Sequence, residues 1–109
     1  MKEVELRINN GDKRYFIKGT DILHREDGPA IEYATGTKSW CKEGKYHRLD
    51  GPAYEGYNGD KVWFKEGKRH RLDGPAVEYF NGNKQYWIEG KQIKNVNSIE
   101  EALIKNLLE

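Results

Sequence analysis

The sequence contains little cysteine, little proline and no long apolar run. Cys41 is the only cysteine, so an intrachain disulfide is excluded and a cytoplasmic location is the expectation. No stretch approaches the roughly 20 apolar residues of a membrane-spanning helix, so a membrane partner is not expected. The opening residues, Met-Lys-Glu-Val-Glu, hold no apolar h-region, which predicts that there is no signal peptide.

The sequence also lacks a strong charge of either sign. Its 109 residues carry 19 Lys and Arg against 18 Asp and Glu, a net charge of +1. A nucleic-acid-binding domain is usually far more basic, so a nucleic-acid partner is not expected either. Aromatic residues make up 12% of the chain. The length predicts a single domain, residues 1–109, and the rings predict a thin, sheet-rich structure in which they supply much of the buried area.

What the sequence does have is a repeated phrase, His-Arg-x-Asp-Gly-Pro-Ala. It begins at His24, His47 and His70, a spacing of 23 residues, and it contains every histidine and every proline of the chain. A fixed period of this size indicates a repeat array, in which each unit buries its apolar face against its neighbours. The predicted units are 24–46, 47–69 and 70–92. They follow an atypical first unit, 1–23, in which "NNGDKRYFIKG" matches "FNGNKQYWIEG" of the last repeat.

Each unit has the pattern of a β-hairpin. Short runs rich in aromatic and β-branched residues, such as "AYEGY" and "KVWFK", flank Asn58-Gly59, and similar runs flank Asn81-Gly82 and Asn9-Asn10-Gly11. Asn-Gly supplies the positive φ values that a type I′ turn requires. Thr35-Gly36 is a weaker copy. The sequence therefore predicts tandem hairpins that form an elongated, twisted antiparallel sheet.

The connector between hairpins contains turn residues at fixed places. Gly44, Gly67 and Gly90 allow a sharp turn after each second strand. The aspartate of each phrase is expected to accept hydrogen bonds from backbone amides two residues on. The proline that follows fixes φ and holds the preceding glycine extended. The phrase should thus start a new strand at Ala30, Ala53 and Ala76.

The repeat pattern gives way to a helix over residues 97–109. Ser98 is a suitable N-cap, and Ser98 with Glu101 has the spacing of a capping box. Ile99, Ala102, Leu103 and Leu107 share one face, and a helix this short needs to dock that face to be stable. It either caps the open edge of the sheet or uses a surface of Leu103, Leu107 and Leu108 to form a homodimer or hold a partner.

With its period and its glycine and aromatic spacing, the chain over residues 3–93 resembles the MORN-repeat family (membrane occupation and recognition nexus). The wording "HRxDGPA" is closest to the variant repeats of bacterial, phage and large-virus proteins. The resemblance implies stacked β-hairpins of about 23 residues each. It also implies a platform for protein partners, often with self-association, and no shared catalytic site.

The repeated His and Asp do not form a pattern typical of a metal or catalytic site. Successive hairpins are roughly 9–10 Å apart in a sheet, whereas ligands of one zinc ion must each lie about 2 Å from it. One copy offers too few ligands, and no serine or cysteine nucleophile repeats beside the pair. We therefore expect no metal, no cofactor and no enzymatic activity.

Two interpretations of the His-Arg pair remain open. In one, the arginine pairs with Asp of its own or the next turn, and the histidine donates to loop carbonyls. In the other, basic side chains line one edge and bind an acidic protein surface or a phosphorylated ligand. The candidate binding residues of that edge are Arg25, Arg48 and Arg71 with His47, His70 and Lys68, helped by Lys45 and Arg69.

Two aromatic columns complete the candidate site. Trp40, Trp63 and Tyr86 share one column, and Cys41, Phe64 and Trp87 share the next. A two-residue hairpin loop would place Ile31, Tyr33, Lys38 and Trp40 on one face of the sheet. The rings either pack across strands or form an exposed face that binds a protein.

These patterns favour a non-catalytic protein-interaction module. By analogy with other small proteins that have such repeats, it would be a phage or bacterial accessory protein that binds and inhibits, or neutralises, a larger protein. The alternative is a protein that sequesters an anionic small ligand, such as a nucleotide signal, between basic connector loops.

Overall fold

The computed structural model describes residues 2–109, which form an open antiparallel sheet with one helix at the C-terminal end. The molecule measures 46 × 29 × 17 Å. These features confirm the predicted class: mainly β, built from antiparallel hairpins, with a C-terminal α-helix.

Thirteen short strands precede the helix. Nine of them form the main sheet, in the order β1-β2-β3-β4-β7-β8-β11-β12-β13, and the other four form two small ribbons, β5–β6 and β9–β10. The bounds are β1 Val4–Asn9, β2 Asp12–Ile17, β3 Ile31–Glu32, β4 Lys38–Ser39, β5 Cys41–Lys42, β6 Lys45–Tyr46, β7 Tyr54–Glu55, β8 Lys61–Val62, β9 Phe64–Lys65, β10 Lys68–Arg69, β11 Val77–Glu78, β12 Lys84–Ile88, β13 Lys91–Ile93 and α1 Ile99–Leu108.

The two halves of the second strand of each complete hairpin pair with different strands. In the first two repeats this strand is interrupted at Trp40 and at Trp63, so that its first half pairs in the main sheet and its second half pairs in a ribbon. In the last repeat β12 is continuous and pairs with β11 and then with β13. The ribbons therefore lie between the main sheet and the corners where the next repeat begins.

The hairpin tips correct one prediction. Asn10 and Gly11 both have positive φ, which confirms a type I′ turn in the first hairpin. At Gly59 only the glycine is left-handed, and the amide of Gly59 bonds to the carbonyl of Gly56. The loop there has three residues, a type I turn followed by a left-handed glycine. The predicted type I′ turns at Thr35-Gly36, Asn58-Gly59 and Asn81-Gly82 are therefore wrong.

The longer loop also changes which side chains share a face. Lys38 lies opposite Glu32, and Ser39 lies opposite Ile31. The prediction that Ile31 and Lys38 share a face is wrong, because one extra loop residue shifts the register and moves every side chain of one strand to the other face.

The type I′ turns of the repeats occur instead at the Glu-Gly dipeptides. The φ values of Glu43, Glu66 and Glu89 are 49°, 50° and 50°, and each following glycine is left-handed as well. The predicted sharp turn after each second strand is present. Glutamate rarely adopts this conformation, so a contact from elsewhere in the repeat must hold it there.

The C-terminal helix packs on the last two strands. Ser98 Oγ accepts from the amide of Glu101 at 3.1 Å, which confirms the N-cap. Ile88 and Ile93 of the sheet and Ala102 of the helix form the buried cluster between the two, and Tyr86, Val96, Ile99 and Leu103 pack around it. Leu107 is 85% exposed, so its predicted place on the docked face is wrong. The helix packs mainly on the sheet end formed by β12 and β13, and Leu107 and Leu108 of its last turn stay exposed.

Candidate binding edge at the repeated corners

Each repeated phrase forms a corner that links one hairpin to the next. We define the corners as residues 24–30, 47–53 and 70–76, and the side of the molecule that they share as the corner edge. The final alanine of every corner is completely buried. In the second and third corners its carbonyl accepts from the amides of Trp40 and Trp63, at 2.7 and 2.8 Å. Each corner thus starts a new strand, as predicted.

The arginine of each corner holds the corner together. Arg48 Nε donates to Asp50 Oδ1 at 3.2 Å, and Arg48 Nη1 donates to the carbonyl of Pro52 at 3.0 Å and to Glu55 Oε2 at 3.1 Å. Arg25 and Arg71 make the equivalent bonds. The bond to Asp50 contributes at most about 1 kcal/mol because that side chain is 88% exposed, so most of the stabilisation comes from the bonds to the Pro52 carbonyl and to Glu55. The pairing of each arginine with the aspartate of its own turn is confirmed.

The same guanidinium also covers a ring of the preceding unit. Arg48 lies 3.8 Å above the ring centre of Trp40, and Arg71 lies 3.8 Å above that of Trp63. Arg25 covers Tyr15 in the same way at 4.1 Å. A cation over an aromatic face is worth about 0.5–2 kcal/mol. The arginine therefore ties its own corner to the hairpin before it.

The glycine of each corner is needed because the guanidinium lies against it. A Cβ added at Gly51 would come within 3.0 Å of Arg48 Cζ, and one at Gly74 within 2.7 Å of Arg71 Cζ. Any larger residue would push the arginine out of its bonds. The Asp, Gly and Pro of the spacing Arg-x-Asp-Gly-Pro are thus all contacted by the arginine of the same corner.

Two predicted hydrogen bonds of the corner are wrong. The corner aspartates accept from the arginines, and the residue two positions on from each aspartate is proline, which has no amide N–H to donate. The histidines accept where donation was expected: His47 Nδ1 accepts from the amide of Glu66 at 3.0 Å, and His24 and His70 bind Glu43 and Glu89 in the same way at 2.9 Å. Each histidine therefore holds the left-handed Glu-Gly turn of its own repeat through Nδ1.

The covered rings form a row that crosses the sheet. Tyr15, Trp40 and Trp63 lie beneath the arginines. Tyr86, the fourth ring, has no following corner and packs instead against the cluster beneath the helix. In the next column, Tyr46 stacks on Phe64 with 4.8 Å between ring centres, and Arg69 lies 5.0 Å from the centre of the Trp87 ring. These columns consist mainly of packing contacts between successive repeats.

Two grooves lie between successive corners. The first has a volume of about 670 Å³ and the second about 610 Å³. Leu49 and Asp50 line both grooves, and Leu72 lines the second. Leu49 is 83% exposed, so the grooves present apolar side chains to solvent. They are equivalent sites at neighbouring repeats.

The grooves bring together most of the predicted binding residues. Arg25, Trp40, His47 and Arg48 line the first groove, and Arg48, Trp63, His70 and Arg71 line the second. Lys68 lies elsewhere, with its aliphatic stem beneath Gly90. Tyr86 and Trp87 are at the C-terminal end of the sheet, where Leu103 and Tyr86 pack on the same buried cluster, whereas Leu107 and Leu108 are exposed.

The charge of the first groove is balanced. Its basic residues Arg25, Lys42 and Arg48 are matched by Glu26, Asp27 and Asp50. Nε and Nη1 of Arg25 and Arg48 are already bound to carboxylates and carbonyls. A phosphate that bound these two nitrogens would have to displace their partners, which disfavours the groove as an anion site.

The surroundings of Cys41 disfavour a reactive thiol. Cys41 is buried, and burial raises the pKa of its thiol to about 11, so the nucleophilic thiolate is scarce at neutral pH. Among residues 2–109, no three His, Cys, Asp or Glu side chains are grouped as a metal site would require.

The sequence-based prediction of the site missed three groups of residues, two at the corner edge and one at the hairpin tips. Glu32, Glu55 and Glu78 complete the arginine contacts, and their spacing of 23 residues was a signal. Leu49 and Leu72 line the grooves. Tyr57 and Phe80 are exposed on neighbouring hairpin tips, where each tip bonds to the one before it through a side-chain oxygen.

The chain matches no protein-family model, no curated protein and no solved structure. The resemblance to MORN repeats therefore rests on the sequence pattern alone. In the part of the chain that the structure describes, no helix has the length and apolar character to cross a membrane.

Proposed function

We propose that this protein is a non-catalytic binding module of MORN-like repeats that holds a protein partner along its corner edge. The observation that carries the proposal is the pair of adjacent, equivalent grooves between corners. A polypeptide segment that runs along the edge would meet both grooves in turn. By covering a surface of its partner, the module would inhibit or neutralise it.

The contacts available in the grooves suit a polypeptide. Leu49 and Leu72 offer exposed apolar contacts, while the paired charges around them form a polar rim, as at many protein interfaces. The arginines keep the corners rigid, so little conformational freedom would be lost on binding. The alternative function, sequestering an anionic ligand, is less well supported because the charge of the first groove is balanced and Nε and Nη1 of each corner arginine already have partners.

The test uses a double variant of the grooves, Leu49→Asp with Leu72→Asp. Both side chains are exposed, so the fold should be retained and circular dichroism should be unchanged. The protein is immobilised and exposed to lysate of its source cells, and bound proteins are quantified by mass spectrometry. We expect a stoichiometric partner of the unmodified protein to be lost from the variant.

The matched control changes the hairpin tips, Tyr57→Ser with Phe80→Ser. This variant should keep the partner. If the tip variant loses the partner and the groove variant keeps it, the binding surface lies at the tips and the proposed surface is wrong. A thermal shift caused by nucleotides, abolished in Arg48→Lys, would instead support the anion-binding alternative.

A further inference from the structure

The first strand of the sheet has an unpaired side. β1 is at the end of the strand order and pairs through β2. Asn9 and Asp12 close the turn, and the carbonyl of Glu3 accepts from the amide of Lys18. Alternate residues of an antiparallel strand bond to the same neighbour, so the amides and carbonyls of Val4, Leu6 and Ile8 point away from β2 to the open edge.

The side chains at this edge are apolar as well. Val4, Leu6 and Ile8 lie on one face of β1 and are all exposed, Ile8 by 63%. Edge strands are usually protected by proline, a bulge, an inward-facing lysine or a short length. β1 is six residues long, and its sequence VELRIN contains neither proline nor lysine.

We propose that a second copy of this chain pairs with β1 in antiparallel orientation, with the twofold axis at Leu6. In this register Leu6 faces Leu6 of the other copy, and Val4 faces Ile8. The outward-pointing residues would then exchange both backbone hydrogen bonds with their counterparts. The apolar side chains of both copies would form one continuous cluster on a single face.

Charge selects this register over its neighbours. With Leu6 opposite Leu6, Glu5 of each copy faces Arg7 of the other. Moving the axis by one residue along the strand would place Glu5 opposite Glu5 or Arg7 opposite Arg7, and like charges directly opposite are destabilising. Both groups are held in their charged forms. A hydrogen bond from the Gly19 amide, helped by Arg7, lowers the pKa of Glu5, and the bond to Asp21 raises the pKa of Arg7.

The test is a pair of complementary charge variants. Glu5→Arg places Arg opposite Arg7 in its homodimer, and Arg7→Glu places Glu opposite Glu5. Each variant alone should be a monomer, and a mixture of the two should dimerise, because every pair is then of opposite sign. Sedimentation equilibrium at micromolar concentration measures the mass, and Leu107→Lys on the exposed helix surface is the matched control that should remain dimeric.

The results separate this interface from its rivals. An unmodified protein that stays monomeric at high micromolar concentration overturns the proposal, as does a dimer that survives both charge variants but is lost in Leu107→Lys. Should the charge variants fail to fold, hydrogen exchange of the unmodified protein decides. Amides of Val4, Leu6 and Ile8 should become protected as concentration rises, and exchange that is independent of concentration contradicts the dimer.

Discussion

The two ends of the sheet are closed in different ways. At the C-terminal end the last strand is short, and the helix packs on it and covers Ile88, Ile93 and the ring of Tyr86. At the N-terminal end β1 is long, and its apolar side chains are exposed. The internal repeats need neither solution, because each corner arginine covers the ring of the unit before it. The difference shows that one end of the array is capped by the helix, while the first strand at the other end leaves its outer edge open.

The largest expected difference in the free energy of unfolding is between alanine substitutions of one isoleucine at each end of the sheet. Ile93 is buried beneath the helix, so Ile93→Ala should lower the free energy of unfolding by about 2–5 kcal/mol. Ile8 is exposed, and Ile8→Ala should change it by no more than about 0.5 kcal/mol. Urea unfolding followed by circular dichroism measures both, in a Leu6→Lys background that prevents the proposed dimer. Equal losses at the two ends would contradict the comparison.

A smaller difference in stability is expected between alanine substitutions of the first and the last corner histidines. His24 is fully buried and His70 is partly exposed, although each accepts one amide bond of 2.9 Å. His24→Ala should cost about 3 kcal/mol, since it leaves a cavity and an unpaired amide, and His70→Ala about 1 kcal/mol.

Asparagine at the same positions is the control for the hydrogen bond. Its side-chain oxygen can accept the amide as Nδ1 does, so His24→Asn and His70→Asn should each recover part of the loss in urea unfolding. If asparagine is no better than alanine, the bond to the turn does not stabilise the repeat.

The smallest expected effect concerns the type I′ turns of the N-terminal hairpin and of the repeats. The N-terminal hairpin has Asn10 at the first left-handed position of its type I′ turn, and the repeats have glutamate. Asparagine tolerates this conformation better, so Glu66→Asn should stabilise the protein by roughly 0.5–1 kcal/mol, seen as a higher melting temperature. Glu66→Gln, which removes only the charge, should leave it unchanged. A gain of equal size in both variants would assign the effect to charge.

The sequence predicted the repeat period, the hairpins, the corners and the helix because these depend on short-range patterns. The register was not predictable, because Asn58-Gly59 suits both two-residue and three-residue loops, and only packing between tips distinguishes them. The exposure of Leu107 was not predictable for a similar reason. The helical pattern places Leu107 on the docked face, but the sheet does not extend far enough to cover it.

The sequence predicted which residues belong to the candidate site, but not how their side chains contact one another. The period identified Arg48 and Trp40 as repeated positions, but not that an arginine lies over a ring eight residues earlier in the chain. The recurring glutamates, Glu32, Glu55 and Glu78, could have indicated the arginine contacts, because they keep step with the phrase. The grooves depend on the distance between corners, which no local pattern specifies.

The corner arginines join each repeat to the one before it, and Arg48→Lys measures how much this contact stabilises the protein. Lysine keeps the charge but cannot reproduce the planar set of donors, so the free energy of unfolding should fall by about 2 kcal/mol. Lys61→Ala, an exposed change on the same face of the sheet, is the control and should have almost no effect. If Arg48→Lys unfolds at the same urea concentration as the unmodified protein, the arginines do not hold the repeats together and serve only as a basic edge.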